Sequence, residues 1–170
     1  MMYRLMILLA LTIALIPVTR ADFELIELYQ RQDVMAQQQR LVGNLRAVAR
    51  REGVVLNVPQ LYVFHYDFSE AYHMEGYRSG FERELNLIVE RRRGARSMVR
   101  LDRLLERVET ADGESIEPDD LPAADVYVAL YRRAECDECE QVADVLRDWI
   151  QQHPEREVVW LDVQTDRRRD

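Results

Sequence analysis

The sequence predicts an α/β protein: a mixed sheet flanked by helices. Three stretches near the C-terminus carry that expectation. Asp125-Val-Tyr-Val-Ala-Leu-Tyr131 alternates β-branched and aromatic residues, as a strand does. Glu140 to Ile150 sets apolar residues at 142, 145, 146, 149 and 150, a helical spacing. Glu157-Val-Val-Trp-Leu-Asp-Val163 returns to a strand pattern, so the three together read as a βαβ unit.

The earlier elements follow in order. Phe23 to Tyr29 reads as a strand, and a helix runs from about Val34 to Arg51 with Leu41, Val42, Leu45, Val48 and Ala49 apolar and Gly53 placed to stop it. Val54 to Val58 and Leu61 to Tyr66 are β-like runs with Pro59 between them. Glu70 to Tyr77 supplies a partner strand with Gly76 near its end. Phe81 to Arg93 is helical, with Phe81, Leu85, Ile88 and Val89 on one face. A short amphipathic helix, Leu101 to Val108, comes next. The acidic, glycine- and proline-containing stretch Glu109 to Pro122 then reads as an exposed linker. Ala21 to Arg31 echoes Ala124 to Arg133, each leading into a helix and a Val-Val strand, and the echo sets Cys136 and Cys139 opposite Val34 and Gln37.

The N-terminus bears on compartment. Arg4, the apolar run Leu5 to Ile16, Pro17 and the small residues of Thr19-Arg20-Ala21 have the layout of a secretory signal peptide over residues 1–21. A mature chain from Asp22 in the periplasm or secreted medium is expected. An uncleaved N-terminal anchor is the alternative, and it would be the chain's attachment to a membrane. The net charge of −8 argues against a nucleic-acid or anionic-membrane surface. All basic residues are arginine, which we read as compositional bias. Arg91-Arg92-Arg93 and Arg167-Arg168-Arg169 are expected to be solvated segment ends.

Cys136-Asp137-Glu138-Cys139 holds both cysteines of the chain, at the junction of a strand and a helix. A sulfur at a helix N-terminus feels the partial positive charge of unpaired N–H groups, which favours the reactive thiolate. In an oxidising compartment the pair rests as a disulfide. Glu135, Asp137, Glu138 and Glu140 oppose thiolate formation, while the helix dipole, and Arg132 and Arg133 if they face the site, support it. A purely structural Cys136–Cys139 bridge is the competing assignment. So short a loop gains little from closure, which makes stability a weak reason to build it. Zinc is disfavoured because His65, His73 and His153 are scattered and a structural site wants four ligands. No P-loop, dinucleotide glycine pattern or Ser/His/Asp order is present, so no cofactor is expected. Tyr62, Tyr66, Tyr72 and Tyr77 are read as one half-buried sheet face, Trp149 and Trp160 as core, and Gln37 to Gln39 as solvated surface.

Strand, CxxC, helix and strand resemble the opening half of a thioredoxin-like domain. Val58-Pro59 before Leu61 to Phe64, the run Glu70 to Gly76, and the helix from Phe81 are similar to that superfamily's later half. There a cis-proline precedes a central strand, followed by an edge strand ending in glycine and a helix. The resemblance implies that Cys136 is the attacking sulfur, Cys139 the resolving one, and Pro59 the proline that shields the thiol and shapes the client groove.

The order of parts is reversed, since Pro59 precedes Cys136 by 77 positions. A permuted arrangement would put both in one sheet. A tandem arrangement, favoured by the echo, would make residues 22–95 a cysteine-free thioredoxin-like unit, 96–123 a helical and acidic linker, and 124–170 a CxxC-bearing half-unit. The expected function is thiol–disulfide exchange on protein clients of the cell envelope. The alternative is a non-catalytic binding or assembly module of an envelope transfer or secretion apparatus, with a structural disulfide.

Overall fold

The computed structural model describes residues 23–34, 57–91 and 99–166. The signal segment, nearly all of the helix expected over 34–51, the Gln37–Gln39 run, the start of the Val54–Val58 run and most of both arginine clusters lie outside the described residues.

The elements are β1 (Glu24–Gln30), β2 (Gln60–His65), β3 (Glu70–Glu75), α1 (Phe81–Arg91), α2 (Leu101–Leu105), β4 (Val108–Glu109), a single 3₁₀ turn at Pro118–Asp120, β5 (Val126–Arg132), α3 (Asp137–Gln152) and β6 (Val158–Gln164). Their strands form one six-stranded mixed sheet in the order β3-β2-β5-β6-β1-β4. Strands β5, β6 and β1 are parallel, whereas β2 runs antiparallel to β5, β3 to β2, and β4 to β1.

This order corrects the tandem arrangement. Strands β5 and β6 lie between β2 and β1, so strands from 22–95 and from 124–170 are interleaved in one sheet. The physical reason is burial. In both β5 and β6 every residue but the last is buried, so neighbours cover them on both faces and both edges, which a lone βαβ piece lacks. The echo has a structural counterpart, because its two strands, β1 and β5, flank β6 on either side in parallel.

Two cores sandwich the sheet. On one face, α1 and α3 bring Phe81, Leu85, Val142, Leu146 and Trp149 onto Leu61, Val128, Leu130, Val158 and Trp160. On the other, Leu101, Leu104, Leu105, Val108, Ile116 and Leu121 pack onto Tyr62, Tyr127, Tyr131, Val159 and Leu161. The second list corrects the exposed linker expected at Glu109–Pro122. Acids there face water while Ile116 and Leu121 anchor the segment to the sheet, and Val108–Glu109 pairs with Gln30 and Tyr29 as an edge strand. The four tyrosines do not share a face either. Tyr62 belongs to one core and Tyr72 to the other, while Tyr66 is 65% and Tyr77 36% exposed. Trp149 and Trp160 are both buried, and the Trp149 indole N–H donates to Asn86 Oδ1 at 2.6 Å, tying α3 to α1.

Candidate thiol site at the carboxyl end of the parallel strands

Strand β5 ends at Arg132, and four residues later Cys136 caps α3. Glu135 turns the chain between them with φ of 54°, a left-handed conformation that costs a non-glycine residue roughly 1–2 kcal/mol. Three further bonds hold this turn. Thr165 donates both its N–H (2.8 Å) and its hydroxyl (3.0 Å) to the Arg132 carbonyl, and Asp166 accepts from the Ala134 N–H.

Helix α3 starts where the sequence offers a cap followed by acids. Cys136 is extended (φ −120°, ψ 96°), and its Sγ accepts from the Cys139 N–H at 3.3 Å, the position a capping oxygen usually takes. Asp137, Glu138 and Glu140 occupy the first turn, where the positive helix end favours them. The helix closes at His153, followed by Pro154.

The two sulfurs are 2.10 Å apart, bonded across a Cα–Cα distance of 5.2 Å. Their surroundings are unequal: Cys136 is partly exposed, whereas Cys139 is fully buried against the sheet. Solvent and any incoming disulfide therefore meet Cys136 first.

Sheet pairing brings Pro59 to the same end. Gln60 pairs with Tyr131 in the antiparallel β2–β5 ladder, so Pro59 lies beyond Gln60 at the edge where β5 leads into the Cys136 turn. Pro59 is buried, its bond to Val58 is cis, and its carbonyl accepts from the Gly76 N–H at 2.9 Å. That bond ties the Val58-Pro59 turn to the end of β3, where Gly76 (φ 70°) carries the chain toward Tyr77 and α1.

A feature the sequence reading missed sits on the α3 side of the sheet. Asp162 on β6 is only 3% exposed, in the same row as Trp160 and Val158. Arg132 clasps it through two bonds, Nε to Oδ1 at 2.7 Å and Nη2 to Oδ2 at 2.6 Å. Its remaining nitrogen, Nη1, donates to Glu140 Oε1 at 2.8 Å on the first turn of α3. The bond to Asp162, with help from Glu140 and against a burial penalty, raises the Arg132 pKa above its ordinary value. The signal for Asp162 was a charged residue inside an otherwise apolar strand, a placement rarely found without a partner. Of the charges the sequence raised, Glu135, Asp137, Glu138, Glu140 and Arg133 are exposed around the site, while Arg132 is half-buried and fully engaged.

Other candidates gather elsewhere. His65 lies at the far end of β2, in a cleft of about 270 Å³ shared with Tyr66, Asp67, Ser69, Asp125 and Arg156. His73 stacks on Tyr62 with ring centroids 4.4 Å apart. Among the described residues no group of three or more His, Cys, Asp or Glu is arranged to hold a metal ion, and no helix is long and apolar enough to cross a membrane. Compared with known proteins, the chain matches no family model, no curated protein and no solved structure.

Proposed function

We propose that this chain is an exported thiol–disulfide oxidoreductase with a rearranged thioredoxin-like fold, acting on disulfides of envelope proteins through Cys136 and Cys139. The observation that carries the reading is the unequal pair: a partly exposed sulfur capping α3 with its partner buried behind it. The Val58-Pro59 turn at the adjacent strand end supports it, as do the edge strand β3 with Gly76 directly after it and the helix that follows. In this reading the family's parts are joined in a different order, and sheet pairing restores their neighbourhood.

The chemistry balances as follows. In the dithiol form, the Cys136 thiolate attacks one sulfur of a client disulfide. A Cys136–client disulfide forms, and the other client sulfur leaves and takes up a proton. Deprotonated Cys139 then attacks the Cys136 sulfur, and the remaining client sulfur leaves as the second thiol. Two electrons pass to the client, and Cys136–Cys139 ends as the disulfide. A partner dithiol in the same compartment must return those electrons.

The test is turnover of a disulfide-bonded model peptide with a small dithiol as donor. The full chain should accelerate exchange, and Cys136→Ser should drop to the uncatalysed rate. An unchanged rate in Cys136→Ser would sink the proposal.

A further inference from the structure

We propose that the cleft at the start of β5 binds a small aliphatic α-amino acid, its carboxylate taken by Arg156 and His65 and its ammonium by Asp67 and Asp125. The site goes beyond the reading above and uses neither sulfur. Strand β5 is seven residues long, so the cleft and the Cys136 turn lie about 20 Å apart, at opposite ends of the strand.

The walls of the cleft are fixed by backbone bonds. His65 ends β2 and pairs with Val126. The turn after it is closed twice, by the His65 N–H on the Ser69 carbonyl and by the Phe68 N–H on the His65 carbonyl, each at 2.9 Å. Across the cleft, Glu157 ties the entry of β6 to that of β5. Its carbonyl accepts from the Asp125 N–H at 2.9 Å, and its own N–H donates to Asp125 Oδ2 at 3.2 Å. Val89 near the end of α1 and Val126 are buried and give the cleft an apolar wall. Its volume of about 270 Å³ falls below the range of drug-sized sites and suits a compact ligand.

The polar groups select the ligand's charge. His65 Nε2 and Arg156 Nε are buried and have no hydrogen-bond partner. The Glu155 carboxylate comes no nearer to Arg156 Nε than 3.9 Å, and that side chain is 63% exposed. A guanidinium only donates, so what Arg156 lacks is an acceptor, and leaving a buried donor unserved is costly. A carboxylate supplies two acceptor oxygens in the planar geometry that a guanidinium fork matches. The Arg156 side chain is 27% exposed, so a turn about its terminal torsions brings Nε to a ligand in the cleft. Asp67 and Asp125 line the same space. Ser69 donates to Asp67 Oδ1 through its hydroxyl at 2.6 Å and its N–H at 3.0 Å, and these bonds, with His65 nearby, hold the carboxyl below its usual pKa and therefore ionised. Two fixed carboxylates repel a simple anion, a phosphate most of all, and a simple amine leaves the donors unserved. A zwitterion answers both sets of groups.

The experiment is isothermal titration calorimetry of the full chain with L-alanine, L-valine and L-leucine. The tightest binder is then compared with its matched carboxylate and amine, which for valine are 3-methylbutanoate and isobutylamine. At least one amino acid should saturate a single site, and each half-ligand should bind at least about tenfold more weakly. Arg156→Gln should weaken the amino acid by about tenfold or more. Asp67→Asn/Asp125→Asn should bring the matched carboxylate to within about twofold of the amino acid, because the repulsion and the ammonium's partners are lost together. The proposal is overturned if none of the three amino acids saturates a site, if either half-ligand binds as tightly as the amino acid, or if Arg156→Gln or the double variant binds as the wild type does. Should Arg156→Gln not fold, the double variant decides alone.

Discussion

Strand β5 carries polar groups at both ends, and the two ends are built differently. At its start, Asp125, His65, Ser69 and Arg156 line an open cleft whose acids are satisfied locally. Asp125 accepts from the Glu157 N–H, and Asp67 from Ser69. At its finish, a helix N-terminus, a partly exposed sulfur, a buried ion pair and the Val58-Pro59 turn converge. The second end is also where the parallel strands β5, β6 and β1 point their carboxyl ends, the usual place for chemistry in sheets of this kind. A partly exposed sulfur at a turn held by several elements at once distinguishes the second.

The largest expected difference between the ends is in activity. Cys136→Ser should abolish catalysed disulfide exchange, while His65→Ala in the cleft should leave the rate within about twofold, since it removes no group near the sulfurs. Equal losses would break the comparison.

Stability should separate the ends next. Arg132→Met strands a nearly buried Asp162 without its cation and should lower unfolding free energy by about 3–5 kcal/mol. Asp125→Ala removes one exposed hydrogen bond and should cost about 1 kcal/mol. Urea denaturation of both variants checks the ranking.

Alkaline pH offers a smaller contrast. Tyr131, beside Gln60 at the thiol end, is fully buried, and burial raises its phenol pKa. A folded pKa above the unfolded value near 10 gives stability that is full below about pH 10 and lost as pH rises beyond it. Tyr131→Phe should therefore flatten the loss of stability above pH 10, measured by urea midpoints across that range.

The smallest effect belongs to the cleft end in acid. Hydrogen bonds from Ser69 hold the Asp67 carboxyl below its usual pKa of 3.8. A depressed folded pKa gives stability present above the unfolded value and lost as pH falls through the folded one. Ser69→Ala should remove a slight acid sensitivity below about pH 4, visible as a flatter thermal-midpoint profile.

Local pattern carried most of the elements. β3, α1, β5, α3 and β6 fall within a few residues of their expected bounds because alternation and helical spacing are properties of short windows. Cys136 and Cys139 were legible for the same reason, as neighbours in sequence. What the sequence hid was long-range. Nothing local tells that β5 inserts between β2 and β6, so the tandem arrangement looked better than it was. Ile116 and Leu121 were lost among acids because one apolar residue in five has no period to detect. Asp162 was overlooked inside a strand whose other residues all said core, and its partner lies 30 positions away.

The central claim is that Cys136 attacks and Cys139 resolves. The direct measurement is mixed-disulfide trapping in the native compartment, by non-reducing electrophoresis of the full chain carrying Cys139→Ser or Cys136→Ser. The account predicts that Cys139→Ser accumulates covalent adducts with envelope proteins, reversed by reductant, and that Cys136→Ser accumulates none. Adducts absent from both variants, or confined to Cys136→Ser, would contradict it.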